Sequence, residues 1–427
     1  MKKALLFIMF PIALFSQGYT SYFTGNAINV NTNPSPGFCL MGGATEHDNA
    51  MIWLLQKANM GDILILRCSG SDGYNNYIYS DLSSQVTVNS VETIVITSAA
   101  GAINPYVLNK VANAEMIWFA GGDQYNYVSY FKDNALEAAI NDHINVKHYP
   151  IGGTSAGMAI LGDHYFSAQN GSVTSATALS NPYNPAVTIG AYDFIDIPLL
   201  NHTITDTHFD NPDRKGRLAT FLARIATDEG IRSFGIAANE YVAVCIDATG
   251  KAIVYGDYPN YQEFAYFAQA NCTDSYLPET CQEGSPLTWN QSGQAVKVYK
   301  VPGTNNGSNY FNISDWQSGS GGTWENWKAI NGVFSSTSGT ASTCVLGIDD
   351  FDTNALTVYP VPFDMEIHFN GLDKAAVTIM DSQGRKVYEN KSVSGNESID
   401  TSSFASGIYI ISVEKNGKKS TRKIVRN

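Results

Sequence analysis

Five residues, Gly153-Thr154-Ser155-Ala156-Gly157, satisfy the pattern G-x-S-x-G. They follow the short run His148-Tyr149-Pro150-Ile151 and precede Met158-Ala159-Ile160-Leu161, which reads as the start of a buried helix. A serine flanked by small residues at a strand-to-helix turn has the form of a nucleophile elbow. The glycines permit a strained backbone and a close substrate approach. The hydroxyl then stands clear of the sheet, and the N–H of Ala156 faces the oxyanion that forms on attack. A glycine-rich turn that only packs tightly has the same composition, so the motif needs partners before it means chemistry.

A serine nucleophile needs a base within hydrogen-bond reach. Of the seven histidines, His208 in Thr205-Asp206-Thr207-His208-Phe209-Asp210 is the best placed. It follows the alternating run from His202 to Thr205. It precedes a helix pattern with Leu218, Phe221, Leu222 and Ile225 on one face. Arg214 and Arg217, one turn apart near that helix start, have guanidinium groups suited to clamping a carboxylate. The blander reading has His208 capping a loop and both arginines solvated.

These residues need a scaffold that brings distant turns together. Gly37 to Met41 reads as a first strand ending in Gly42-Gly43, and Asp48 to Ala58 carries apolar residues at helical spacing. Asp62 to Cys68 and Val91 to Thr97 are apolar runs of strand length. Met116-Ile117-Trp118-Phe119-Ala120 runs into Gly121-Gly122-Asp123-Gln124, and a helix pattern from Ala135 to Ile144 leads on to the elbow. Strands alternating with helices, with glycine turns at strand ends, predict an α/β fold with a doubly wound, mostly parallel sheet. Sites in such sheets form at the carboxyl ends of strands, where both Gly121-Gly122 and Ser155 belong.

Together, Gly121-Gly122-Asp123-Gln124, the elbow, and Asp206-Thr207-His208-Phe209 with Arg214 and Arg217-Leu218 resemble cyanophycinase and its relative peptidase E. The resemblance covers roughly residues 35 to 260. It implies the fold of class I glutamine amidotransferases, with serine in place of their cysteine. It implies Ser155 as nucleophile and His208 as general base. The oxyanion hole would come from the N–H of Ala156 and one from the Gly122-Asp123 turn, with Gln124, Arg214 and Arg217 facing a peptide substrate. Three positions depart from the family pattern. Thr207 stands where cyanophycinase has glutamine, and Pro212 stands where it has an arginine. Asn170-Gly171-Ser172-Val173 occupies the loop that carries the acidic triad member. An orienting role then passes to Asn170, Asp163 or Glu240. The alternative is a catalytically silent surface binding protein on the same fold. A glutaminase is disfavoured, because that chemistry uses cysteine.

The 427 residues carry a net charge of −13. Residues 1–18 read as a secretory signal: Lys2 and Lys3, an apolar run from Ala4 to Phe15, then Ser16-Gln17-Gly18. That run is short for a membrane span and no other stretch does better, so the processed chain is expected to lack an integral membrane segment. From Asn354 onward ten Lys/Arg face eight Asp/Glu, leaving about −17 on the body between signal and tail. Such a body repels nucleic acid. No C-x-x-C or His-Cys cluster points to a metal, and no cofactor is expected. Of the six cysteines, Cys272 and Cys281 bracket a polar loop and are the expected disulfide, while Cys39 and Cys245 read as buried thiols.

The remaining organisation is modular. Residues 19–284 form the expected catalytic domain. Residues 285–334 form a β-rich extension whose Trp289, Trp316, Trp324 and Trp327 read as core in preference to a sugar-binding surface. Residues 335–353 read as a Ser/Thr/Gly linker. Residues 354–427 show short alternating runs typical of an all-β sandwich. Leu356-Thr357-Val358-Tyr359-Pro360-Val361-Pro362, Asp381-Ser382-Gln383-Gly384-Arg385, Ser406-Gly407-Ile408-Tyr409 and Lys423-Ile424-Val425 resemble the C-terminal sorting domain of type IX secretion. That resemblance implies the type IX machinery as partner and a secreted or cell-surface location reached through the periplasm.

Overall fold

A computed structural model describes residues 17–273, 275–344, 357–370, 375–381, 384–393, 398–415 and 418–426. Most of the expected signal segment, residues 1–16, lies outside the described residues, as does the linker stretch 345–353. The chain divides into two compact units between Thr343 and Cys344.

The larger unit is built on two sheets. The first has ten strands, and its middle is parallel: Ser90–Ile96, Asp62–Arg67, Met116–Phe119, Ile151–Thr154 and Gly37–Met41, in that spatial order. Nearly every residue of these strands is buried. This is the continuous apolar signature of strands covered on both faces. Antiparallel strands extend both edges: Tyr19–Gly25 pairs with Ser90–Ile96, and Ala243–Asp247 pairs with Gly37–Met41. Helix Asp48–Lys57 packs Met51, Ile52, Leu54 and Leu55 into the core beneath. An acid in its first turn and a lysine in its last suit the helix dipole.

The second sheet has eight strands, with Thr203–Asp206 parallel to Phe234–Ala238. Helix Lys215–Glu229 lays Leu218, Phe221, Leu222 and Ile225 into its core and stops at Gly230 in the left-handed conformation. The sequence predicts one doubly wound sheet; the fold is α/β as expected, but its parallel strands are shared between two sheets.

The expected β-rich extension is no appendage. Val296–Pro302, Thr323–Ile330 and Val333–Ser338 continue the eight-stranded sheet, while Asn309–Asn312 joins the ten-stranded one. Trp289, Trp316 and Trp327 are buried, as the core reading expects. Residues 335–338, assigned from composition to the linker, instead pair with Thr323–Ile330. A Ser/Thr run on an edge strand needs no apolar partner, which is why composition misplaced it.

Cys281 is a free thiol, whereas Cys272 is disulfide-bonded, so the expected Cys272–Cys281 bridge is wrong. Spacing in sequence is a poor guide to which sulfur atoms meet in space. Cys39 and Cys245 are buried free thiols, directly opposite each other across two strands.

The smaller unit is all β. Thr357–Tyr359, Glu366–Asn370 and Ser398–Asp400 form one sheet, and Lys386–Val393, Ala375–Asp381, Gly407–Lys415 and Lys418–Arg426 form another. Phe363, Ile367, Val377, Ile379, Ile411 and Ile424 fill its core. Among the described residues no helix is long and apolar enough to cross a membrane.

Candidate active site

The elbow forms for a steric reason. Strand Ile151–Thr154 lies between Met116–Phe119 and Gly37–Met41, so its side chains have little room. A Cβ on Gly152 would stand 2.7 Å from the Cys39 carbonyl oxygen and 2.8 Å from the Trp118 ring. A Cβ on Gly153 would stand 2.6 Å from the Gly157 backbone. The two glycines of the motif are thus packed on each other as the chain reverses. Between them Ser155 holds φ +52° and ψ −116°, an unfavourable conformation for a residue with a side chain. Its N–H donates to the Met41 carbonyl at 3.0 Å. The helix that follows is one turn, Ala156–Ala159, shorter than the sequence suggests. Gly162 ends that segment against the Thr203 carbonyl, and the chain enters strand His164–Phe166.

His208 comes from the other sheet, two residues beyond strand Thr203–Asp206. Its Nε2 lies 2.8 Å from Ser155 Oγ, and its Nδ1 lies 2.7 Å from Glu240 Oε1. Glu240 follows strand Phe234–Ala238, the parallel neighbour of Thr203–Asp206. A carboxylate only accepts, so Nδ1 carries the proton and donates it to Glu240. The Nε2 lone pair is left for the Ser155 hydroxyl. The His208 and Glu240 side chains are 26% and 22% exposed.

The turn that ends Met116–Phe119 lies beside the serine. A Cβ on Gly121 would stand 3.5 Å from Ser155 Cβ, so the Gly121 backbone flanks the serine. Gly122 holds φ +153°. Asp123 caps helix Gln124–Phe131 through Oδ1, which accepts the Tyr125 N–H at 2.9 Å. Gln124 is half-buried, and its amide Nε2 donates to the Phe166 carbonyl at 3.4 Å. Ala156 opens the short helix directly behind the serine.

The two arginines separate. Arg214 is half-buried and donates through Nη1 to the Thr207 carbonyl at 2.7 Å; burial and the neighbouring Arg217 both hold its pKa down. Arg217, expected to face the substrate, is buried instead. Its Nε donates to Asp206 Oδ2 at 3.1 Å and its Nη2 to Asp206 Oδ1. The carboxylate it clamps belongs to the protein itself.

The three candidates for the orienting role also separate. Asn170 is exposed and donates to the Pro185 carbonyl. Asp163 accepts the His202 N–H at 2.9 Å, and burial pushes its carboxyl up to about 6. Only Glu240 meets His208. Its signal was an acid just past the apolar run Phe234–Ala238, since strand ends collect functional groups. Two further neighbours carried no legible signal: Gly43, against the imidazole, and Asp210, against the backbone of Glu240. Among the described residues no group of three or more His, Cys, Asp or Glu could hold a metal ion.

Residues 71–252, which include Ser155, His208 and Glu240, match Peptidase family S51, and residues 357–427 match the Secretion system C-terminal sorting domain. Two curated cyanophycinases are similar. That of Geminocystis herdmanii is 27% identical over 113 residues, 26% of this chain and 38% of that protein. That of Synechococcus elongatus is 22% identical over 179 residues, 42% of this chain and 51% of that protein. The chain thus spans about half or less of the length of these relatives. A solved peptidase from an acI-B1 actinobacterium covers 53% of this chain and 89% of its own at 16% identity, with TM-score 0.39. A putative peptidase E from Listeria monocytogenes covers 52% and 98% at 15% identity, with TM-score 0.34. Residues 71–252 thus resemble Peptidase family S51, and the C-terminal match to a secretion-system sorting domain supports type IX secretion to the cell surface or exterior.

Proposed function

We propose that this protein is an exported serine-type peptidase that hydrolyses a small peptide or an isopeptide-linked polymer. The observation that carries the reading is the line Ser155 Oγ, His208 Nε2, His208 Nδ1, Glu240 Oε1, with contacts of 2.8 and 2.7 Å. In this reading the Ser155 oxygen attacks the scissile carbonyl carbon while His208 Nε2 takes the hydroxyl proton. The imidazolium formed is stabilised by Glu240, which also fixes the tautomer that makes Nε2 the base. The carbonyl oxygen becomes an oxyanion facing the N–H of Ala156 and one from the Gly122-Asp123 turn. His208 returns the proton to the leaving amine. Water, activated by the same imidazole, then releases the acyl group from Ser155.

Gln124 and Arg214 are the side chains we assign to the substrate. Arg217 is withdrawn from that role, because its donors already meet Asp206. Thr207 and Pro212, at positions where the resembling family carries other residues, argue for a specificity different from that of cyanophycinase. The missing acid after the elbow is the main support of the silent-binding alternative, and the contact of Glu240 with His208 weighs against it.

The test is hydrolysis of cyanophycin and a panel of aspartyl dipeptides by the full chain, with Ser155→Ala beside it. Cleavage lost in the variant is the expected result. Turnover unchanged by Ser155→Ala would sink the reading. A folded wild type whose Ser155 resists a fluorophosphonate would point back to binding.

A further inference from the structure

The Gly42-Gly43 turn takes no part in the chemistry above and lies outside residues 71–252, yet it is built against the catalytic histidine. It ends strand Gly37–Met41, the parallel neighbour of the elbow strand. The Gly42 carbonyl accepts the N–H of His208 at 2.7 Å. The Gly42 N–H donates to the Val242 carbonyl at 2.8 Å, and the Gly43 carbonyl accepts the N–H of Tyr241 at 3.0 Å. One dipeptide is therefore bonded to the residue that is the base and to both residues that follow Glu240.

The contact with the imidazole is steric. A Cβ on Gly43 would overlap Cε1 and Nε2 of His208 and stand 3.0 Å from Cδ2. Gly43 holds φ +120°, where side chains are strained in any case. Gly42 is equally confined: a Cβ there would overlap the carbonyl oxygen of Asn239, the residue before Glu240. The histidine needs such a wall, because its own backbone is strained at φ +45° and its side chain is partly open to solvent.

Asp210 reaches the second member of the pair. Its Oδ1 accepts the N–H of Glu240 at 3.0 Å. The loop carrying His208 thus reaches Glu240 twice, through the imidazole and through the Asp210 carboxylate. Arg214, bonded to the Thr207 carbonyl, feels the charges of Glu240 and Asp210 as well as that of Asp206, which is tied to Arg217.

We propose that Gly43 and Asp210 are positioning residues for the His208–Glu240 pair. Gly43 presses one side of the imidazole and leaves Nε2 unobstructed, while Asp210 fixes the backbone from which the Glu240 carboxylate is presented. The inference rests on the serine-peptidase reading for its purpose, but its geometry can be measured without any substrate.

The experiment uses the full chain labelled with 15N-histidine. A proton held between Nδ1 and a carboxylate resonates far downfield, and its loss in His208→Ala assigns it. The signal is expected in wild type and in Ser155→Ala, and is expected to be lost in Gly43→Ala. Fluorophosphonate labelling of Ser155 should slow roughly 100-fold in Gly43→Ala, the size of effect an ångström-scale misplacement gives. Gly73→Ala is the control, because a Cβ there meets nothing within 4 Å. Asp210→Ala should slow labelling about tenfold, the equivalent of one lost hydrogen bond, while Asp210→Asn keeps the acceptor and should stay near wild type.

A folded Gly43→Ala that keeps the downfield proton and the wild-type labelling rate overturns the proposal, as does a wild type without that proton. Should Gly43→Ala fail to fold, the Asp210 variants decide, and equal rates for Asp210→Ala and Asp210→Asn reject the inference. A downfield proton in a protein whose Ser155 does not react would instead reject the peptidase reading and leave the positioning intact.

Discussion

Two hydrogen-bonded pairs begin at the end of strand Thr203–Asp206, two residues apart in the chain. Asp206 turns inward and takes Arg217, with side chains only 4% and 3% exposed. His208 turns outward and meets Glu240 and Ser155. Both pairs join a carboxylate to a nitrogen donor, and both link that strand end to a second element. What separates them is burial. The inward pair fastens the start of helix Lys215–Glu229 to the strand, and its guanidinium also stacks near Phe166 and Phe221. The outward pair keeps a solvent-facing edge, as the proposed proton transfer requires. A buried ion pair is costly to break from one side, whereas an exposed one contributes little to stability. The same chemistry therefore serves as scaffold in one case and as candidate machinery in the other.

The widest gap between the pairs should appear with Glu240→Gln. Its hydrolytic rate is expected to fall on the order of 10³-fold or more, because the imidazole loses its fixed tautomer. Its melting temperature should scarcely move, since both side chains are partly exposed. A large loss of stability in Glu240→Gln would erase the distinction. The inward pair should behave in reverse. Asp206→Ala leaves Arg217 buried without its partner, and chemical denaturation should report a loss of about 3–5 kcal/mol. Replacing both members by apolar residues should recover much of that.

A third group asks whether burial itself is the governing variable. His143 is buried beneath the elbow strand; its Nε2 donates to the Pro150 carbonyl at 3.1 Å while Nδ1 has no partner. Burial holds its pKa down to about 4 from an ordinary 6.5. The unfolded chain binds the proton first, so this stability is complete above about pH 6.5 and is lost as pH falls toward 4. The loss is on the order of 3 kcal/mol. Asp163 runs the other way. Burial raises its carboxyl from 3.8 to about 6, so the folded chain binds the proton first and gains stability as pH falls from 6 toward 4. The two slopes oppose each other. Asp163→Asn should make unfolding by acid steeper, and His143→Asn should make it shallower, in thermal melts between pH 4 and 7.

The smallest effect is expected at Arg214, which stands between the two pairs and holds the Thr207 carbonyl. Arg214→Ala should raise KM about tenfold with kcat nearly unchanged if its free donors meet the substrate. A fall in kcat at constant KM would make it a prop for His208 instead.

Much of this was legible before any coordinates. The elbow was legible because close packing leaves a local mark: Gly153 and Gly157 meet each other, so the pattern lies within five residues. The alternation of buried runs and glycine turns announced an α/β fold, and the turn-rich tail announced strands. His208 stood out as the histidine between an alternating run and a helix. The β-strand at Val333–Ser338 did not stand out, because an edge strand carries no apolar alternation. Cys281 misled, because a short loop between two cysteines need not bring their sulfur atoms together.

The sequence by itself determined the tight G-x-S-x-G turn, the layered fold and the sorting tail, since each is written in neighbouring residues by sterics or periodicity. Only the tertiary structure decided which acid reaches His208, which arginine is withdrawn into the core, and which glycine stands against the imidazole. Glu240 is 32 residues from His208 in the chain, and it meets the histidine only because Thr203–Asp206 and Phe234–Ala238 pair in parallel. Such contacts depend on how strands are ordered in a sheet, and strand order leaves no trace in the local pattern of residues.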